Sequence, residues 1–316
     1  MNYWTRVAVA LCLVPLGACS AEVSTDPESL DDESSDNITA VPASDVGIVL
    51  FDGTRATLDQ NTTMGTVFKR SLPAAGGPVR YAFPGRSSNY TSYSRSDAGG
   101  GLRALYYDGP PEDPLGSAFS DTDDGGASFV LNDAIGGGTS SPVCRLINNP
   151  RVKKVFVLGW SRGAVLAVDA AKRIAEGTCG KGQGAKLAWI GLIDPVATGM
   201  NAPYVDEATC KSPNNADVYN HTWDAPCLAA PTYTNSKGVA RRVPVSLFSK
   251  TADSNFTAAR MKLQTAAVQG AYVDASYERP GLLINSLDWH ISMGSDASVL
   301  GKMKAAWARR GGYSLP

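Results

Sequence analysis

From residue 46 onward the chain is marked by short, continuous apolar runs that stop abruptly at glycine, proline and aspartate. Residues 46–51 (VGIVLF) are apolar and β-branched and end at Asp52-Gly53-Thr54, the pattern of a strand buried on both faces that runs into a turn. Residues 79–83 and 102–107 read the same way, closed by Pro84-Gly85 and by Asp108-Gly109-Pro110-Pro111. Residues 129–135 and 143–147 have the spacing of helical turns around Gly136-Gly137-Gly138, residues 152–158 form another apolar run, and residues 164–176 are alanine-rich and helical. Further strands are predicted at 187–193, 243–248 and 282–287, and helices at 258–267 and 299–309. Buried strands alternating with helices predict an α/β fold, a mostly parallel sheet covered on both faces. Residues 198–240 lack a clean period and contain Pro203, Pro213, Pro226 and Pro231, so they read as an irregular insertion, a lid over the sheet. The chain shows no internal repeat.

The first 45 residues follow another logic. Arg6 precedes a short apolar stretch, 7–16, which meets Leu16-Gly17-Ala18-Cys19. The stretch is too short for a spanning helix and reads as an export signal, 1–18. Its ending resembles the bacterial lipobox, which implies that Cys19 receives a diacylglyceryl group. Acyl chains at about 0.8 kcal/mol per buried CH₂ hold a protein on a membrane without a spanning helix, and Ser20 after the cysteine points to the outer membrane, facing the periplasm. Residues 19–45 hold eight carboxylates counted to Val46, no Lys or Arg, and little apolar surface, the composition of a disordered tether. The folded body is 46–316.

Charge and cysteine count narrow the body further. The 316-residue chain has a formal net charge of −1, but removing the leader and the acidic tether leaves 28 basic and 22 acidic side chains. That mild surplus has no Lys/Arg-rich run, so nucleic acid is not an expected partner. After Cys12 and Cys19, four cysteines remain, and an even number in an exported chain reads as two disulfides. Without a CxxC or a neighbouring His they do not read as a zinc site. Asp121-Thr122-Asp123-Asp124-Gly125 lacks the glutamate that closes a calcium loop and reads as a solvated turn, so no metal is expected. Topology predicts the pairing. Cys144, before the 152–158 strand, and Cys179, after the following helix, both belong at the amino ends of the strands and pair there; Cys210 and Cys227 pair across the insertion.

The chemistry converges on Gly159-Trp160-Ser161-Arg162-Gly163, set between a strand and a helix. That context makes Gly-x-Ser-x-Gly a nucleophile elbow, in which a sharp turn lifts the serine hydroxyl above the sheet. A serine nucleophile needs a base, and the chain has two histidines, His221 and His290. His290 lies after the last predicted strand and before the last helix, in the order Ser, acid, His; His221 lies in the insertion. The orienting acid is Asp194, at the end of the 187–193 strand, or Asp253, after the next one, with Asp288 third. The oxyanion needs two N–H donors: Arg162, just after the serine, and Gly53 or Thr54 in an early loop. No cofactor is required.

These segments resemble a family. Leu50-Phe51-Asp52-Gly53-Thr54, Tyr106-Tyr107-Asp108-Gly109, Ser161-Arg162-Gly163-Ala164, Gly191-Leu192-Ile193-Asp194-Pro195 and Asp288-Trp289-His290 come in the order of a bacterial α/β-hydrolase domain family, first labelled a domain of unknown function, that includes type VI secretion phospholipase effectors. The resemblance covers about residues 46–310 and implies Ser161, Asp194 and His290 as the triad and lipid or phospholipid esters as substrates. Pro195 departs from it, standing where the family usually has Thr, and so does the lipobox. The competing expectation is a non-catalytic envelope lipoprotein that uses the same scaffold for binding.

Overall fold

The computed structural model describes residues 45–71, 79–82, 89–97, 99–110, 129–195, 229–250, 268, 270–277 and 286–312, all within the unit Thr39–Pro316. The signal, Cys19, the tether, Cys210, Cys227, His221, Asp253, the Asp121 turn and the predicted helix 258–267 lie outside the described residues.

The apolar runs become strands because each carries two apolar faces. β1 (Val46–Phe51), β4 (Leu102–Tyr107), β5 (Lys154–Trp160) and β6 (Leu187–Ile193) occupy the centre of an eight-stranded sheet. β2 (Val79–Ala82) and β3 (Asn89–Ser96) form one edge, and β9 (Val245–Lys250) and β10 (Tyr272–Tyr277) the other, in the order β10-β9-β6-β5-β1-β4-β3-β2. Pairing is parallel from β4 to β10 and antiparallel at β2–β3 and β3–β4. Successive side chains point to opposite faces: Val49, Phe51, Val155 and Val157 join the core on one side, and Ile48, Leu50, Phe156 and Leu158 the core on the other. Helices α2 (Pro142–Asn148) and α3 (Arg162–Ala175) cover the first face, and α1 (Thr63–Ser71) and α5 (Ala297–Ala306) the second. A further helix, α4 (Ser286–Met293), precedes α5. The mostly parallel sheet covered on both faces is what the alternation of strands and helices predicts, and its architecture is the α/β-hydrolase fold that the resemblance implies.

Three elements differ from expectation. β3 went unpredicted because its sequence, NYTSYSRS, is polar with no apolar run; it is an antiparallel strand near the sheet edge with Tyr90 as its buried anchor. Among the described residues the last strand is β10; of the predicted strand 282–287, residues 286 and 287 belong to α4 and the others lie outside the described residues. β10 escaped notice because an edge strand can leave Tyr272 and Val273 exposed, with Asp274 held by Arg309 and Arg310. Within the 198–240 insertion, the described end is not irregular but a hairpin, β7 (Thr232–Thr234) with β8 (Ala240–Arg242). Asn235 Oδ1 shapes its turn by accepting from the N–H groups of Lys237 and Val239, at 3.0 and 2.9 Å. Tyr233 packs against Gly184 before β6. This hairpin leads directly into β9, which starts at the amino edge of the parallel part of the sheet, so the hairpin lies opposite the Ser161 edge; residues 198–228 of the predicted lid lie outside the described residues.

The predicted Cys144–Cys179 disulfide is present at that same amino edge. It joins α2 to the turn after α3 across 35 residues, a closure that the chain-entropy model values at about 4 kcal/mol. Among the described residues no helix is long and apolar enough to cross a membrane.

Candidate active site

At the carboxyl end of β5 the chain turns in a space that admits no side chains on its two glycines. A Cβ on Gly159 would lie 2.2 Å from the Gly163 carbonyl oxygen, and one on Gly163 would lie 2.3 Å from that of Asp52. The elbow thus rests on the backbone at the end of β1. Ser161 sits at φ 57°, a conformation that costs a non-glycine residue about 1–3 kcal/mol and persists where its surroundings enforce it. Its N–H donates to the Ile193 carbonyl at 2.9 Å, and its carbonyl accepts from Ala164 N–H at 3.0 Å. Asp194, at the end of β6, is also at positive φ, 39°, with its N–H donated to Phe248 O at 2.8 Å. Two adjacent strand ends therefore carry strained polar residues side by side.

His290, from α4, joins them. Its Nε2 is 2.8 Å from Ser161 Oγ and its Nδ1 is 2.5 Å from Asp194 Oδ2. With Nδ1–H donated to the carboxylate, Nε2 is left with the lone pair that accepts the serine proton. Ser249 Oγ, at the end of β9, donates to Asp194 Oδ1 at 3.3 Å. Ser161, Asp194 and His290 are 5, 0 and 3% exposed, so the set is shielded from competing water. The Trp160 ring lies 5.9 Å from that of His290. It is accommodated by two bare glycines, since a Cβ on Gly53 or on Gly294 would come within 2.6 or 2.4 Å of the indole. The arrangement meets the geometric needs of an activated nucleophile: hydroxyl, base within hydrogen-bond reach, and a carboxylate that orients the base.

Beside it, at the ends of β1 and β4, lies a second polar cluster. Asp52 Oδ1 accepts from Gly53 N–H at 2.9 Å, while Oδ2 accepts from Tyr106 OH at 2.6 Å and from Thr62 Oγ1. Asp108 accepts from the N–H groups of Leu58 and Thr91, both at 3.2 Å. Burial pushes Asp52 up to about 6, against the three hydrogen bonds that favour its anion. Burial, with the nearby Asp52 charge adding to it, pushes Asp108 up to about 7. The same burial and the Asp52 charge raise the Tyr106 phenol far above its usual range, so it stays a donor.

Of the expected oxyanion donors, Arg162 is the first residue of α3, at the helix N-terminus. Gly53, however, already donates its N–H to Asp52. The N–H groups of Asp52, Arg55 and Ala56 go to Tyr107 O, Pro110 O and Gly53 O; among the described residues, no acceptor meets that of Thr54. Of the acid candidates among the described residues, Asp194 is the one brought to His290. Asp288 lies in α4 two residues before His290. Ser249, Thr62 and the structural part played by Asp52, Tyr106 and Asp108 were missed. The Asp-Gly pairs at 52 and 108 were visible, but as turn signals they did not reveal carboxylates turned inward. Among the described residues no group of three or more His, Cys, Asp or Glu is placed to hold a metal ion.

No family model matches the chain, and no curated protein does. Several solved structures are similar in chain path. The metagenome-derived lipolytic enzymes LipS and LipT are represented by a structure 12% identical, with a TM-score of 0.36, covering 86% of this chain and 99% of that one. Esterase 2 of Thermogutta terrifontis, phosphonylated by sarin, is 14% identical with a TM-score of 0.36, covering 88% of this chain and 89% of that one. A thermostable esterase from Pseudomonas putida is 13% identical with a TM-score of 0.31, covering 82% and 92%.

Proposed function

We propose that the protein is a serine hydrolase that cleaves carboxylic esters. The observation that carries this reading is the unbroken hydrogen-bonded chain from Ser161 Oγ through His290 to Asp194. As Oγ attacks the ester carbonyl, His290 Nε2 takes its proton and Asp194 stabilises the imidazolium. The tetrahedral oxyanion is held by the N–H groups of Arg162 and Thr54, donors worth about 3–4 kcal/mol each in such sites. Collapse breaks the ester C–O bond, the departing alcohol takes the proton from His290, and an acyl-Ser161 remains. Water, deprotonated by His290, then attacks the acyl carbon, releasing the carboxylic acid and restoring the serine. Every step uses side chains and backbone of this chain.

Lipid or phospholipid esters are the favoured substrates, on the resemblance carried by Phe51-Asp52-Gly53-Thr54 and Ser161-Arg162-Gly163-Ala164 and on the lipobox at Leu16–Cys19. The protein then works at the bacterial envelope, anchored through acylated Cys19 and facing the periplasm from the outer membrane.

A fluorophosphonate probe tests the chemistry: a covalent adduct on Ser161, lost in Ser161→Ala, is expected, and an unlabelled, folded wild type favours the binding scaffold instead. Profiling of acyl chain and head group among phospholipids and short esters tests the substrate class. Membrane fractionation of Cys19→Ser, with mass spectrometry of the N-terminal peptide, tests the anchor; a mature N-terminus without acyl mass ends that part of the reading.

A further inference from the structure

Asp52 touches neither Ser161 nor His290, yet it sits at the junction of the pieces that must be aligned. Its backbone carbonyl is the surface on which Gly163 of the elbow rests, where an added Cβ would come within 2.3 Å. Its carboxylate, 1% exposed, gathers three donors from three places in the chain: Gly53 N–H, Thr62 just before α1, and Tyr106 in β4. Thr62 Oγ1 in turn accepts from Gly65 N–H at 3.0 Å, so its proton is directed at Asp52 and its lone pair at α1.

The turn that follows is clamped from every side. Ala56 N–H returns to Gly53 O at 2.8 Å, Arg55 N–H goes to Pro110 O at 3.2 Å, and Gly109 N–H donates to Ala56 O at 2.8 Å. Gly109 lies so close that a Cβ on it would fall 1.5 Å from Gly53 O. Arg55 is held at φ 62°, a left-handed conformation that needs such enforcement. Each N–H of residues 52, 53, 55 and 56 is thus spent within the loop and its flanks. A buried N–H left unmatched is costly, and an oxyanion donor must be pointed before the oxyanion exists.

From this we infer that Asp52 is a positioning residue: by taking the Gly53 N–H and tying the turn to Thr62 and Tyr106, it orients the Thr54 N–H toward the oxyanion above Ser161. The inference rests on the serine-hydrolase reading given above. Asp52 acts through Thr54, so its loss weakens the transition state and leaves ground-state ester binding alone. Asn is the informative replacement, because it keeps an acceptor for Gly53 N–H but turns an NH₂ toward two hydroxyl donors.

The test uses the full chain in detergent, with 4-nitrophenyl butyrate as substrate and phenylboronic acid as a tetrahedral adduct former. Asp52→Asn is expected to lower kcat by about 10–100-fold, less than outright removal of an oxyanion donor, with KM within about twofold of wild type. The inhibition constant of phenylboronic acid rises by a comparable factor. Thr62→Val reproduces part of the loss and Thr62→Ser, which retains the hydroxyl, recovers it. Folded Asp52→Asn with wild-type kcat and boronate inhibition overturns the inference, as does a loss confined to KM. If Asp52→Asn does not fold, equal kcat for Thr62→Val and Thr62→Ser overturns it instead. Fluorophosphonate labelling of wild-type Ser161 separates the two levels: an unlabelled wild type removes the hydrolase reading and this role with it, whereas a labelled wild type with an unaffected Asp52→Asn removes this role alone.

Discussion

The carboxyl edge of the sheet carries two neighbouring groups of buried carboxylates that differ in what faces them. Asp194, at the end of β6, faces an imidazole and one serine hydroxyl. Asp52 and Asp108, at the ends of β1 and β4, face backbone N–H groups and neutral hydroxyls. All three are withdrawn from water, so burial alone does not separate a reacting group from a framework one. The partner does: an imidazole can take up a proton that a nearby carboxylate then stabilises as a cation, while an N–H or OH donor can only hold its acceptor in place. In the proposed reaction, carboxylates of one chemical kind serve chemistry on one side of the elbow and loop geometry on the other.

The comparison breaks first at the catalytic side. Ser161→Ala and His290→Ala are each expected to reduce kcat for 4-nitrophenyl butyrate by about 10⁵-fold or more with the fold retained by circular dichroism, because each removes an indispensable step. Asp194→Asn should fall short of that, at about 10³–10⁴-fold, through a misoriented imidazole. Near-normal turnover in Asp194→Asn would mean that the buried pair with His290 is architecture after all.

Next comes the surface shared by the two groups. Gly163→Ala drives a methyl into the carbonyls of Phe51 and Asp52, and neither is a flexible side chain that could yield. Loss of about 3 kcal/mol or more in urea unfolding, or failure to accumulate, is expected. Removal of the Cys144–Cys179 staple, far from both groups at the opposite edge, should cost about 4 kcal/mol in the same assay. Cys144→Ser protein that remains folded should keep its kcat, since neither cluster touches that edge; a large drop in kcat would show that the two edges are coupled.

The dependence on pH sharpens the framework side. Burial raises Asp52 to about 6 and both Asp108 and Asp169 to about 7, the last against the pull of Arg173 at 3.2 Å. Each holds its proton more tightly folded than unfolded. Between about pH 4 and pH 7 the unfolded chain therefore binds fewer protons, and stability falls as pH rises through that window, by on the order of 3 kcal/mol per fully shifted group. Asp97, Asp274 and Asp296, held below the usual carboxylate range by their donors, oppose this only at lower pH. Thermal melts should give a higher Tm at pH 5 than at pH 8, and Asp169→Asn should flatten that slope. A Tm that rises steadily to pH 8 would contradict the assignment of these three carboxylates.

What the chain revealed unaided was its local and periodic content. Apolar runs such as 46–51 and 187–193, too short for a core helix and closed by turn residues, read as strands buried on both faces. Gly159-Trp160-Ser161-Arg162-Gly163 between a strand and a helix announced the elbow, and the alternation of strand and helix placed Cys144 beside Cys179. Tertiary structure decided the rest. Only folding could bring His290 to Asp194 across 96 residues, and nothing local distinguished Asp194 from any other aspartate that ends a strand. The polar strand β3 and the exposed strand β10 owe their conformation to neighbouring strands, whose hydrogen bonds need no apolar pattern in the residues they recruit. Asp52 and Asp108 looked like turn residues because their Asp-Gly pairs are turn signals. Their inward direction is set by donors far away in sequence, Tyr106 and Thr62 for one and Thr91 and Leu58 for the other, and hydrogen-bond partners at such separations leave no periodic mark on the sequence.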